Sequence, residues 1–170
     1  CKGMNEPGKF SRIFSFPNPV NEFAARWVAA MVLVLSLATI ISGELWLLAF
    51  LTYGFVARVA TGPTLSPIGL IATRVLIPLT GNTNRPTAGP PKRFAQTIGL
   101  VFSVTALALY FAVDSATPYR ALLGTLSIFA ALECIVGFCA GCFMFGWLMR
   151  WGVIPESVCQ ACLEYLPETA

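Results

Sequence analysis

The feature that most constrains the fold is a set of four long apolar segments. A helix needs about 20 mostly apolar residues to cross a bilayer, and four segments approach or exceed that length: residues 24–42, 45–60, 94–113 and 121–149. Only 11% of the residues are charged, against about 25% in a soluble domain, so the chain cannot cover a water-facing surface. The sequence therefore predicts an all-α integral membrane protein folded as a four-helix transmembrane bundle.

The polar segments divide the chain into three parts. Residues 1–20 are predicted to form a cytoplasmic N-terminal arm, residues 21–150 the membrane domain and residues 151–170 a cytoplasmic tail. Two shorter helices are predicted besides the four spans. Residues 66–79, between the second and third spans, are apolar but interrupted by two prolines and an Arg, which predicts an interfacial or re-entrant helix. In the tail, a Pro followed by a Glu predicts a short amphipathic helix at about residues 156–166.

The distribution of Lys and Arg predicts the orientation of the bundle. Ten of the eleven basic residues lie in the N-terminal segment up to Arg26, in the segment from Arg58 to Arg93, or at Arg150 before the tail. Because Lys and Arg are enriched in cytoplasmic loops, both termini are predicted to be cytoplasmic. Lipid modification of Cys1 would place it on the outer face, which opposes this orientation, so a trimmed start is favoured for the chain.

The composition also excludes several kinds of chemistry. The chain has no His, which excludes His-based general base catalysis, imidazole ligation of haem or copper, and Ser-His or Cys-His dyads. The formal charge of +3 is small, and no run of basic residues indicates nucleic acid. The lipid bilayer is therefore the first predicted partner.

Two CxxC pairs are the most specific chemical signal. Cys139 and Cys142 form the first pair, Cys159 and Cys162 the second, and sixteen residues separate them. This spacing falls within the range of four-cysteine zinc sites. Both pairs are predicted near the cytoplasmic end of the fourth span, where thiols stay reduced. Three interpretations remain open: a zinc or other metal site made by all four thiolates, thiol redox or sulfur transfer, and structural packing.

For thiol chemistry, Cys159 is the first candidate for the catalytic nucleophile. It lies in the first turn of the predicted tail helix and close in sequence to Arg150, and both a helix N-terminus and a nearby positive charge favour a thiolate. Cys162 would resolve the resulting intermediate. Cys139 and Cys142, at i and i+3 on one face of the apolar fourth helix, are predicted to be the buried half of a relay.

Glu133 is an intramembrane carboxyl near the middle of the predicted fourth helix. An ionisable residue there is costly and is by default a functional hypothesis. In a continuous helix it lies about 180° from Cys142, so it is not predicted to face the cysteines. The alternative is a structural carboxyl that faces Ser103 or Thr105. Cys134 is predicted to be a packing residue.

Two further patterns concern packing and helix ends. Gly137 and Gly141 form a small-xxx-small pattern, which permits close approach of two helices. Glu44 and Arg58, at the ends of the second span, are predicted to extend toward the two interfaces.

Four stretches together resemble a known family: "NPVNEFAARWVAA", "GPTLSPIGLIATRVLIP", "GPPKRFAQTIG" and "ECIVGFCAGCFMFGWLMRWGVIPESVCQAC". From about Pro17 onward the chain is similar to the bacterial membrane proteins grouped as domain of unknown function 4395. The resemblance implies the membrane fold and a location in the bacterial inner membrane, and it implies no activity. The residues that match are Asn18, Pro19, Asn21, Glu22, Lys92, Arg93, Phe94, Glu133, Cys139, Cys142, Cys159 and Cys162.

Two functions are compatible with these features. The first is a thiol-active membrane protein that passes electrons or sulfur between a cytoplasmic thiol protein and the membrane. The second is a non-catalytic accessory subunit of a larger membrane complex, whose cysteines bind zinc or pack. A transporter is a third possibility, but neither inverted repeats nor paired broken helices are visible in the sequence.

Overall fold

The computed structural model describes residues 20–62, 65–80, 86–87, 89–113 and 115–153. The predicted arm, the predicted tail helix and the pair Cys159 and Cys162 lie outside these residues. Within them the chain forms six helices and two short strands: β1 (Val20–Asn21), α1 (Glu22–Ser42), α2 (Leu45–Thr61), α3 (Pro67–Thr80), β2 (Pro86–Thr87), α4 (Gly89–Ala112), α5 (Thr117–Ile135) and α6 (Ala140–Arg150).

The first helical hairpin has defined caps at both ends of α1. The Asn21 side chain accepts the N–H of Phe23 at 3.0 Å, which satisfies one of the free donors at the helix start. At the other end Gly43 adopts φ 69°, and its N–H donates to the Thr39 carbonyl at 2.9 Å. A left-handed glycine ends a helix without a Cβ clash. The chain then turns directly into α2.

Three helices are long and apolar enough to cross a membrane: α1, α4 and α5. The 17 residues of α2 are at the lower limit for a span. Many large apolar side chains point outward, such as Ile41 at 81% and Phe111 at 71% exposed. A soluble monomer rarely exposes so much apolar surface. These features confirm the predicted fold class, an all-α membrane protein.

The predicted helix between the second and third spans is present as α3. Its start is capped by Ser66, whose hydroxyl accepts the N–H of Gly69 at 3.3 Å. Its middle, Ala72–Leu76, has the wider π-helical turn. At 1.5 Å per residue α3 is about 21 Å long, which is too short to cross the hydrocarbon core of a bilayer.

The bundle packs in two main pairs, α1 against α5 and α2 against α4, with α4 also contacting α5 and α6. The core between them contains Leu48, Leu51 and Leu123, all fully buried. The ends of α1, α2, α4 and α5 that carry Arg26, Arg58, Lys92 and Glu133 meet on one side, hereafter the charged end. At the opposite end the Tyr110 ring packs edge-on against Tyr119 at 5.2 Å.

The predicted continuous helix over residues 121–149 is wrong. The chain forms two helices, α5 and α6, which are separated by Val136–Cys139. Gly137 has φ 76°, and its N–H donates to the Glu133 carbonyl at 3.1 Å, the hydrogen bond of a left-handed helix end. The Arg26 guanidinium occupies the space that a Cβ on Gly137 would need. The helix therefore ends where only glycine fits.

Candidate functional site at the charged end

The break after α5 changes the position of the first CxxC pair. Cys139 is not helical, and it is the N-cap residue of α6 with extended backbone angles. Its Sγ accepts the backbone N–H of Cys142 at 3.3 Å, as an oxygen does at an ordinary N-cap. The sequence predicted that Cys139 and Cys142 share one face of a single long helix. In the structure they instead form a dithiol at the N-terminus of α6.

The pKa values of the two thiols of this pair are shifted in opposite directions. A hydrogen bond between the two thiol side chains is the main cause that lowers the pKa of Cys139, and the Lys92 ammonium acts in the same direction, against burial and the Glu133 carboxylate. The same hydrogen bond is the main cause that raises the pKa of Cys142, together with burial. Of the two thiols, Cys139 therefore has the lower pKa and Cys142 the higher.

Glu133 forms an ion pair inside the bundle. Its Oε1 lies 2.7 Å from Lys92 Nζ, and the two side chains are 18% and 8% exposed. Burial of a charged group requires a partner of this kind. The prediction that Glu133 faces Ser103 or Thr105 is wrong, because the carboxylate turns toward α4 and pairs with Lys92.

The prediction that Glu133 points away from the cysteines is also wrong. Glu133 and Cys139 line the same cavity, and the Glu133 charge acts on both thiols. The 180° separation assumed a continuous helix. The turn at Gly137 returns the chain toward the carboxylate.

Arg58 is the most unusual charged residue of the charged end. It is 3% exposed, which contradicts the prediction that it extends to the interface. Its guanidinium lies over the Phe55 ring at 4.5 Å, and within the part of the chain that the structure describes none of its three nitrogens has a hydrogen-bond partner. Such a cation–π contact is worth about 2 kcal/mol when desolvated, which offsets only part of the cost of burial.

A small cavity lies beside the dithiol. Its volume is about 90 Å³, and it is lined by residues of α1, α2, α4, α5 and the start of α6. Most of its wall is apolar, including Val32, Phe55 and Ala130. Its polar wall groups are Gln96 and Glu133 together with the Cys139 thiol. The Gln96 side-chain oxygen is buried and has no hydrogen-bond partner among the described residues.

Sequence reasoning did not assign Lys92, Arg58 and Gln96 to a site. An available signal was that Arg58 lies in an apolar helix, where an ionisable residue is by default functional. Cys134 is half-buried and free. No metal site is formed by three or more His, Cys, Asp or Glu side chains within the described ranges. The predicted zinc site requires Cys159 and Cys162, which lie outside those ranges.

No curated protein and no solved structure matches the chain. Residues 20–150 match a protein family described as "Domain of unknown function (DUF4395)". The matched region contains the charged end, the cavity and the first CxxC pair, and it ends before the second pair. The chain is therefore a member of the DUF4395 family.

Proposed function

We propose that this chain is a membrane thiol–disulfide exchange protein whose reactive pair is Cys139 and Cys142. The observation that carries the proposal is the N-cap position of Cys139, where its sulfur accepts the N–H of Cys142. A thiol at a helix N-terminus within a CxxC motif is a better nucleophile at neutral pH than an ordinary thiol. The half-buried position of both residues leaves a route for a partner sulfur.

The two cysteines have different roles in the exchange. The Cys139 thiolate attacks a disulfide of a partner, forms a mixed disulfide and releases one partner thiolate. The Cys142 sulfur, after losing its proton to the released thiolate, attacks Cys139 and releases the second partner sulfur. The net change moves two electrons and the Cys142 proton from the pair to the partner disulfide, and the second partner thiolate takes its proton from water. In the reverse direction a partner dithiol reduces the Cys139–Cys142 disulfide.

This assignment differs from the sequence-based choice of Cys159 as the first nucleophile. Cys159 and Cys162 stay a predicted second dithiol, which would carry electrons or sulfur between a soluble cytoplasmic thiol protein and the Cys139 pair. If sulfur rather than electrons is transferred, Cys139 is again the acceptor, because it carries the thiolate.

Trapping the mixed disulfide tests the roles of the two thiols. With oxidised glutathione, full-length Cys142→Ser in a Cys159→Ser, Cys162→Ser background is expected to keep glutathione on Cys139, because the resolving sulfur and the proposed second dithiol are gone. The wild-type protein is expected to form the Cys139–Cys142 disulfide and to release glutathione. In Cys139→Ser we expect adduct formation at Cys142 to be at least about tenfold slower. Peptide mass spectrometry of the detergent-purified protein identifies the modified residue in each case.

Cys134→Ser is the matched control, since Cys134 is half-buried on α5 and has no part in the proposed exchange. Its glutathione kinetics are expected to equal those of the wild type. Equal adduct rates at Cys139 in Cys142→Ser and at Cys142 in Cys139→Ser would contradict the assignment of distinct roles. Inert thiols in all variants would contradict the function itself.

The orientation of the bundle is part of the proposal. We propose that the charged end lies in the cytoplasm of a bacterial inner membrane, which the distribution of basic residues favours and where a soluble thiol partner is available. Reporter fusions after Ser42 and Asp114 are expected to read as outside, and a fusion after Arg93 as inside. An outside reading at Arg93 would contradict the cytoplasmic position of the dithiol.

A second candidate is an accessory subunit of a larger membrane complex. It is favoured by two exposed aromatic side chains at the end of α6, Trp147 and Trp151, which are 50% and 69% exposed and whose ring centroids lie 5.0 Å apart. Aromatic residues of this kind are enriched in protein interfaces and at membrane surfaces. In this case the cysteines would pack or bind zinc, and the trapping experiment would give no adduct on Cys139.

A further inference from the structure

A side chain of α1 contacts the backbone turn that precedes the dithiol. Arg26, in the second turn of α1, extends to the end of α5, where its Nη2 donates to the Val136 carbonyl at 3.5 Å. Helix α5 ends at Ile135, and the last carbonyls of a helix have no acceptor role within it. A cation at this end also complements the helix dipole. Arg26 therefore caps α5 from a neighbouring helix.

The Arg26 guanidinium is held by further contacts. Its Nη2 also lies 3.3 Å from Glu22 Oε1, one turn earlier on α1, and its Cζ lies 5.9 Å from the centre of the Phe23 ring. On the side of α5 the guanidinium occupies the space that a Cβ on Gly137 would need. The guanidinium can contact this turn only because Gly137 has no side chain.

The dithiol segment has a second anchor on the other side of Cys139. Gly141 packs on Ala95 of α4, so closely that an added Cβ would lie 2.5 Å from the Ala95 Cα. Cys139 thus lies two residues after Gly137 and two residues before Gly141. With both ends of this short segment fixed, its sulfur meets the N–H of Cys142 at 3.3 Å. Release of the first anchor frees the Cys139 backbone.

We infer that Arg26 is a positioning residue for the Cys139–Cys142 exchange, because its guanidinium holds the Val136–Gly137 turn that places Cys139 at the N-cap of α6. The inference rests on the proposed function and adds to it a residue that is distant in sequence from both thiols. Without Arg26 the turn loses its contact with α1, and the hydrogen bond between the Cys139 sulfur and the Cys142 N–H is weakened.

The route of this effect is the backbone. The groups of the described residues whose charge or hydrogen bonding acts on Cys139 are Lys92 of α4, Glu133 of α5 and Cys142 of α6. Arg26 acts on none of their side chains in the structure, and its contacts are with Glu22, Phe23 and the turn. A positioning role therefore predicts coupling between Arg26 and the turn.

The test is a double-mutant cycle on the iodoacetamide rate of the Cys139 peptide in the full-length protein at neutral pH. Arg26→Met and Gly137→Ala are each expected to slow alkylation by about tenfold, because the helix N-terminus no longer favours the thiolate. The double variant is expected to be about as slow as either single variant, since both changes act on the same turn. Effects that multiply to about a hundredfold would mean independent action and would overturn the inference.

Hydrogen exchange of the Cys142 amide is the second measurement. In Arg26→Met its exchange is expected to accelerate by about tenfold or more, while amides in the middle of α4 and α5 keep their wild-type rates. Arg74→Met, which removes an exposed cation from α3, is the control and should change neither measurement. A Cys142 amide that stays protected, or acceleration throughout the bundle, would overturn the positioning role.

Arg26→Lys is the milder variant if Arg26→Met does not fold. It keeps the charge but not the planar group that contacts Glu22 and Val136 together, so a slowing of about threefold is expected. Combined with Gly137→Ala it should be no slower than Gly137→Ala alone. A wild-type alkylation rate in both Arg26 variants would overturn the inference.

The positioning role and the exchange function fail in different ways. If wild-type protein exchanges with oxidised glutathione and Arg26→Met does so equally fast, the positioning role is overturned and the exchange function stands. If the thiols of the wild-type protein are inert to glutathione, the exchange function is overturned, and the inference with it.

Discussion

Lys92→Met is expected to slow alkylation of Cys139 at neutral pH by about tenfold, and Glu133→Gln is expected to accelerate it. The Lys92 ammonium lowers the pKa of Cys139, and the Glu133 carboxylate raises it. Only the thiolate reacts, so loss of the cation decreases the reactive fraction and loss of the anion increases it. The pH at half-maximal rate should accordingly rise in Lys92→Met and fall in Glu133→Gln.

The measurement is the iodoacetamide rate of the Cys139 peptide as a function of pH in the full-length protein. The other groups that act near this thiol are Cys142, on its own helix, and the Arg58 guanidinium, which interacts with Glu133. Arg120→Met, at the opposite end of the bundle, is the control and should leave the profile unchanged. If both site variants shift the profile in the same direction, the effect is structural and the electrostatic account is wrong.

Gly141→Ala is expected to destabilise the protein by about 1–3 kcal/mol, whereas Gly146→Ala on the same helix is expected to be neutral or to stabilise by up to about 1 kcal/mol. A Cβ on Gly141 would lie 2.5 Å from both Cα and Cβ of Ala95, and a Cβ on Gly146 meets nothing within 4 Å. The first substitution must push α6 away from α4, because the obstacle at Ala95 includes backbone.

These two variants introduce the same methyl group at a packed position and at an unpacked position of α6. Thermal unfolding in detergent measures the stability, and the alkylation rate of Cys139 reports whether the N-cap survives. We expect both to change in Gly141→Ala and neither to worsen in Gly146→Ala. Equal destabilisation by the two substitutions would contradict the role of the contact with Ala95, because the gain in helix propensity from Gly to Ala applies at both positions.

Hydropathy and length were sufficient to locate most of the helices. The predicted segment 45–60 corresponds to α2 (Leu45–Thr61), and the predicted segment 24–42 to α1 (Glu22–Ser42). The helix α4 begins at Gly89 rather than near residue 94, because its Pro90 and Pro91 lie in the first turn, where a missing N–H costs no helical hydrogen bond. Such a stretch has the composition of a loop, and composition alone does not distinguish the two.

The site was less predictable, because it depends on one backbone angle and one tertiary contact. Hydropathy is continuous through Gly137, and a single glycine does not reveal a left-handed conformation. The pairing of Lys92 with Glu133 requires the rotation of α4 relative to α5, and 41 residues separate the two in sequence. The small-xxx-small pattern was informative in part, since Gly141 does allow close packing on Ala95, whereas Gly137 ends α5.

If Cys139 and Cys142 exchange disulfides as proposed, the buried Arg58 guanidinium, which has no hydrogen-bond partner among the described residues, has a consequence for the direction of electron transfer. With Cys139 as thiolate, two cations, Arg58 and Lys92, are balanced by two anions, Glu133 and the thiolate. Formation of the disulfide removes one of these anions and leaves an excess positive charge in a medium of low dielectric constant, which is costly. Stabilisation of the reduced form makes a dithiol couple more oxidising. Electrons should therefore enter the pair readily from a soluble dithiol, and they should leave it only for an acceptor of higher potential.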